Sequence, residues 1–183
     1  TYIGQSAFRG CKSITDIQLP QGLTEINRYT FSGCTNLQSI VIPATVGRIR
    51  SGAFGNCSSL KEVKIPEGIK WINPGCFRGC ESLTNIDLPS SIKRIKPRAF
   101  KGCTSLASIN IPESVVEIGD QAFMHCISLQ KINLPKNIEH FGYDLFWGSG
   151  LKEVNLDEIT ALSNEDPWID IPNGMFAYTP IEK

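Results

Sequence analysis

The sequence predicts an α/β, β-rich repeat solenoid: a right-handed, curved superhelix with one parallel sheet and short helical or 3₁₀ turns. Three observations predict it. Phe8, Phe31, Phe54, Phe77, Phe100, Phe123 and Phe146 recur every 23 residues. Five apolar columns keep the same register, among them Ile17, Ile40, Val63, Ile86, Ile109 and Ile132. The column Leu19, Ile42, Ile65, Leu88, Ile111 and Leu134 is followed every time by Pro. A fixed period of this length means that each unit buries its apolar face against its neighbours and cannot stand alone.

Each element of the repeat follows from its residues. In L-x-x-I-x-L the last two apolar residues alternate with a polar one, so both point inward from a short strand. The Pro lacks an N–H and closes that strand. The next segment, I-x-x-I, reads as a second short extended piece after a turn. The run ending in A-F-x is too short for a long helix and predicts one helical or 3₁₀ turn. Two residues after each Phe stand Gly10, Gly33, Asn56, Gly79, Gly102, His125 and Gly148. Gly, Asn and His tolerate positive φ, so this residue is expected to cap the turn in a left-handed conformation. Strands of successive repeats then pair in parallel, with right-handed crossovers.

The 183 residues read as one repeat domain. Residues 1–156 keep the period, whereas 157–183 form an irregular terminal repeat with an insertion between Asp157 and Asp170. The pattern resumes from Ile171 to Phe176. The chain enters and leaves in mid-repeat, which suggests a fragment of a longer array.

Chemistry-bearing residues mostly have structural explanations. Cys11, Cys34, Cys57, Cys80, Cys103 and Cys126 form one column three residues after Phe, with Ser149 in the seventh repeat. Parallel in-register thiols point the same way, so they read as free, buried and unbridged, with no tetrahedral metal geometry. Cys76 takes the place that Ala53 and Ala99 hold elsewhere. His125 falls in the cap column and His140 in an outward column, and no triad recurs with either. Asn56-Cys57-Ser58 matches a glycosylation sequon, but the cap column already accounts for Asn56. The expectation is therefore no enzyme, no cofactor and no metal. A formal net charge of zero argues against a general nucleic-acid binder. No apolar run reaches the roughly 18 residues of a membrane span.

At the repeated A-F-x-G-C-x-S-L and I-x-L-P blocks the sequence resembles the BspA-like leucine-rich repeat family, also called the Treponema pallidum type. The resemblance is tight over residues 1–156 and loose over 157–183. It implies a leucine-rich-repeat solenoid, with parallel strands on one face, from a secreted or cell-surface protein. It also implies adhesion to a host or bacterial surface protein, and it carries over no catalytic residue.

Function must then lie in solvent-facing residues that vary between repeats. Two columns flank the inward residues of the main strand, and from them Lys64, Asn85, Asp87, Asn110, Lys131, Asn133 and Asn155 form a candidate exposed face. Two outward columns of the second extended piece are more distinctive. Stacking gathers Arg48, Arg50, Trp71, Arg94 and Lys96 on one lateral face, with Lys70 and Lys93 beside them. Residues 44–101 hold 11 Lys and Arg against 4 Asp and Glu, whereas residues 102–183 hold 4 against 12. A basic patch around an exposed Trp fits a protein partner or an anionic glycan. Arg48 and Arg94 flanking Trp71 in a cation–π stack is the alternative use of the same residues. The expected function is noncovalent binding of a protein or glycan, and the competing one is a structural spacer with no ligand. The sequence leaves the oligomeric state open.

Overall fold

The computed structural model describes residues 1–156 and 172–181. In chain order its strands are β1 (Glu25–Ile26), β2 (Ser39–Ile40), β3 (Arg48–Ile49), β4 (Glu62–Lys64), β5 (Trp71–Ile72), β6 (Asn85–Asp87), β7 (Arg94–Ile95), β8 (Glu117–Ile118), β9 (Lys131–Ile132), β10 (His140–Phe141) and β11 (Glu153–Val154). Every pairing is parallel and joins residues one coil apart, such as Val63 with Ile86 and Ile95 with Ile118. The chain is a parallel-strand solenoid.

The single sheet expected from the sequence is replaced by two ladder faces. On the main face β2-β4-β6 and β9-β11 form separate sheets, extended by isolated bridges at Gln18–Val41 and Asn110–Asn133. On the lateral face β1-β3 and β10-β8-β7-β5 form two more. The second extended piece of each repeat also alternates inward and outward side chains, and its copy lies one coil away. Its backbone groups therefore pair as those of the main strand do.

The interior is the set of apolar columns seen in the sequence. Phe31, Phe54, Phe77, Phe100, Phe123 and Phe146 are fully buried. Their rings stack nearly parallel, with centroids 5.5 Å apart for Phe54 and Phe77. The stack continues from Phe146 to Phe176 at 5.6 Å. These two lie 30 residues apart, so the chain between them carries seven residues more than the period. The resumption expected near Phe176 is present. The insertion expected between Asp157 and Asp170, and Ile171, lie outside the described residues.

The segment around each Phe differs from the sequence expectation. Among the described residues there is no helix; paired β-turns take the place of the helical or 3₁₀ turn. Successive N–H groups alternate in direction. Ala53 N, Gly55 N and Cys57 N bond back three residues within the coil, whereas Gly52 N, Phe54 N and Asn56 N bond across to Pro74, Cys76 and Arg78 of the next coil. A helix would spend every N–H on its own chain; here half of them hold neighbouring coils together.

The expected left-handed cap is present, with φ of 59° at Asn56 and 60° at His125. A second left-handed column lies two residues before Phe, at Ser6, Tyr29, Gly52, Gly75, Arg98, Gln121, Asp144 and Gly174. One left-handed residue on each side of Phe reverses the chain and prevents a helix from propagating.

The cysteine column is reduced and mostly buried. Each thiol from Cys34 to Cys126 donates to the carbonyl of the Phe 26 residues earlier, as Cys57 does to Phe31 at 3.0 Å and Cys103 to Phe77 at 3.2 Å.

Candidate functional site

The lateral face is built by the I-x-x-I segments. Their apolar residues Ile26, Ile49, Ile72 and Ile95 point into the core. The intervening column therefore faces solvent and runs Glu25, Arg48, Trp71, Arg94, Glu117 and His140. Pairing sets Arg48 beside Glu25, Trp71 beside Arg94, and Arg94 beside Glu117. The structure thus brings the predicted basic residues to one face. Trp71 is half exposed, at 49%.

Three of the cations are partly neutralised there. Arg50 pairs with Glu25 at 2.8 Å, and that hydrogen-bonded carboxylate pushes the guanidinium pKa further up. Arg94 and Lys96 both reach Glu117, at 3.2 and 2.7 Å. Arg48, Lys70 and Lys93 are exposed and make no ion pair among the described residues. The cation–π stack on Trp71 is absent among the described residues; the one cation over a ring is Arg9 on Tyr29, at 5.6 Å. Glu117 accounts for this at Arg94, because a carboxylate in reach holds a guanidinium more strongly than a ring face does.

The column Asn27, Arg50, Asn73, Lys96, Gly119 and Gly142 is less outward than expected. Its first four members are half-buried and the two glycines are buried. It forms a corner where the chain turns inward. A Cβ on Gly119 would lie 2.7 Å from Pro97 Cδ.

This corner decides where the lateral ladder holds. Arg50 N, Lys96 N, Gly119 N and Gly142 N donate to Ile26, Ile72, Ile95 and Ile118 of the coil before. At Asn73 the side chain does so instead, with Nδ2 donating to Ile49 O at 2.7 Å. Asn27 Nδ2 likewise donates to Ile3 O at 2.9 Å. The amide side chain replaces the main-chain donor and holds its own strand away. β3 and β5 consequently stay unpaired, and a cleft of about 560 Å³ opens between them. Arg48, Arg50, Lys70, Trp71 and Asn73 line it, with Gly47 and Gly68 at its edges. That volume is in the range of small-molecule sites.

The main face is a flatter surface. Lys64, Asn85, Asp87, Asn110, Lys131 and Asn133 are exposed as expected, and Asn155 is half-buried. Asn155 mimics a peptide unit, accepting from Leu134 N at 2.7 Å and donating to Leu134 O at 3.0 Å. Lys131 pairs with Glu153 at 2.8 Å and holds that carboxyl below its ordinary range.

Sequence reasoning missed a second hollow, of about 300 Å³, on the turn edge. It lies where Gly52 and Gly75 separate Tyr29 from Arg98 in the second left-handed column. Burial, then the neighbouring Arg98 and Arg78, push the nearby Lys101 amine down. Among the described residues no group of three or more His, Cys, Asp or Glu is arranged to hold a metal. No helix there is long and apolar enough to cross a membrane.

Comparison with known proteins places this geometry. The model of the BspA type leucine rich repeat region matches residues 1–105 and 47–182, in six copies. A leucine rich repeat protein of T. pallidum is 30% identical, with a TM-score of 0.57, over 84% of this chain and 61% of its own. A leucine-rich repeat protein from Bacteroides ovatus is 27% identical, also with a TM-score of 0.57, over 83% of this chain and 57% of its own. A leucine rich cell surface protein from Faecalibacterium prausnitzii shares the fold at 22% identity and a TM-score of 0.50, over 83% of this chain and 57% of its own. This chain therefore spans less than two thirds of the length of each. No protein of curated function matches it.

Proposed function

This chain belongs to the BspA-type leucine-rich repeat family, and we propose that it is a noncovalent binding module, without catalytic activity, of a cell-surface or secreted protein that recognises a protein or glycan. The observation that carries this reading is the cleft between β3 and β5, where Arg48 and Lys70, free of ion pairs among the described residues, flank the exposed Trp71. A half-exposed indole among cations gains contact area and desolvated charge when a partner covers it. The Faecalibacterium prausnitzii protein that shares the fold is a leucine rich cell surface protein, and a location of that kind is part of the proposal. The greater length of the relatives supports reading the chain as one domain of a longer array.

Arrays of purified extracellular proteins and glycans, probed with the wild type and with R48E/K70E, test this. Both residues are free of ion pairs among the described residues, so reversal leaves no carboxylate orphaned. Capture of one ligand class by the wild type, at least tenfold weaker in the variant, is the expected result. Capture of nothing by the wild type would leave the spacer reading in its place.

A further inference from the structure

We infer that the β3–β5 cleft is a subsite for an anionic sugar, a pyranose carrying a carboxylate or sulfate, with Trp71 as its stacking platform. The inference deepens the binding-module reading and rests on it.

The geometry favours a sugar over an extended peptide. The two coils that flank the cleft are held at ordinary spacing on both sides of it. Ahead of it, β2 and β4 pair through Ile40 and Val63. Behind it, Gly52 N donates to Pro74 O at 3.0 Å, and Phe54 stacks on Phe77 at 5.5 Å. The opening is therefore local. Admitting another strand would mean spreading the coils by a further ~4.8 Å, which those contacts forbid. A compact ring needs no such movement, because it sits above the opening on side chains.

The walls match such a ring. The exposed indole offers a flat apolar face to ring C–H groups, which a bare inorganic anion does not use. Gly47 and Gly68 carry no side chain beside it, and a Cβ on either would meet nothing within 4 Å. Lys93 N donates to Lys70 O at 2.8 Å in the paired part of the ladder, but among the described residues Lys70 N has no such bond to Gly47 O. That amide and carbonyl are left for sugar hydroxyls. Arg48 and Lys70 supply positive charge for the acidic substituent. Asn73 is the positioning residue: its side chain keeps the strands apart. Replacing it with the glycine that the same column carries at Gly119 and Gly142 lets residue 73 N take Ile49 O and closes the cleft.

Titration calorimetry at low salt would use a sulfated tetrasaccharide from heparin, a tetragalacturonate, and neutral maltotetraose. Saturable binding of either anionic sugar, with none of maltotetraose, is expected. The heparin fragment carries uronate carboxylates as well as sulfates, so a response to it alone assigns the site to sulfate, and a response to tetragalacturonate assigns it to carboxylate. W71A and N73G should each weaken binding about tenfold, with melting temperatures near the wild type. N73G leaves every charge in place, so it separates the cleft from a diffuse basic surface. Failure of both anionic sugars, or unchanged binding in either variant, overturns the inference. An acidic octapeptide that binds while the sugars fail overturns it too, in favour of a peptide groove. A ligand captured on the arrays and lost in R48E/K70E would still stand in those cases, so the two readings fail separately.

Discussion

A buried thiol in a protein interior resists ionisation, and this chain stacks several. Burial pushes Cys57 and Cys126 up to about 12 from an ordinary 9.0, and Cys80 and Cys103 well above it. In the unfolded chain these thiols ionise near the ordinary value, whereas in the folded one they stay neutral. Their contribution to stability is therefore complete below about pH 9 and is lost as pH rises towards 12. Each thiol removes roughly 1.4 kcal/mol per pH unit in that window. The urea midpoint should hold steady from pH 6 to 8 and fall steeply from 9 to 11, with a shallower fall in C103S. A midpoint indifferent to pH across 9 to 11 would contradict the burial of this column. Backbone strain is also read at this scale. Gly102 has φ of 74°, so Gly102→Val should cost about 2 kcal/mol by forcing a β-branched residue into the left-handed region. Gly47→Val, where a Cβ meets nothing, should stay within about 0.5 kcal/mol; equal melting temperatures for the two would refute the assignment. The cap column was legible in the sequence because Gly, Asn and His betray positive φ. The column on the other side of Phe was not, because Ser6, Tyr29, Arg98 and Gln121 hold left-handed geometry that their types do not advertise. There the bonds to the next coil impose the conformation on whatever residue is present.

Strands of two or three residues have little stability of their own, so the choice of donor at one corner residue settles whether a ladder forms. Where the corner is Arg50, Lys96, Gly119 or Gly142 the main chain donates and the strands pair; where it is Asn27 or Asn73 the side chain donates and they part. Amide exchange reports this directly. The amides of Trp71 and Asn73, which would face β3, should exchange at least tenfold faster than those of Arg94 and Lys96, which face β5. In N73G the amide of residue 73 should become protected, and equal protection throughout the wild type would show that the ladder is continuous. The same contrast explains what sequence could say about the site. Periodicity placed Arg48, Trp71 and Arg94 on one face, because positions 23 apart lie over one another. It was silent on the opening between two of them, since an Asn in a polar column looks like any solvated residue. The period also sets Glu117 over Arg94, but it could not say that this carboxylate would hold both Arg94 and Lys96, because ion pairing depends on side-chain reach and not on column position. The helical turn failed for a related reason: residues 52–57 contain i to i+3 contacts, but half their N–H groups bond to the next coil.

Each coil touches only the coils before and after it, and the molecule should therefore behave as a sum of units and interfaces. The seven extra residues between Phe146 and Phe176 agree with this, since the two rings stack at 5.6 Å in spite of them. The period, then, constrains which residues stack and tolerates other chain lengths between them. Removing residues 112–134 tests the point, because it deletes one complete 23-residue coil and joins Ile111 to Pro135, which restores the strand-ending Ile-Pro. Phe146 then follows Phe100 in the stack, and the cleft, built from residues 47–73, is untouched. This variant should unfold in one cooperative transition with a urea m-value lower by about one-eighth, in proportion to the surface lost. Removing only residues 112–123 places Met124 where the strand-ending Pro should be and throws every later column out of register. Polar residues then occupy buried positions, and cooperative unfolding should be lost. If the half-coil deletion unfolds as sharply and at the same urea concentration as the whole-coil one, stacking in register is not what holds this molecule together.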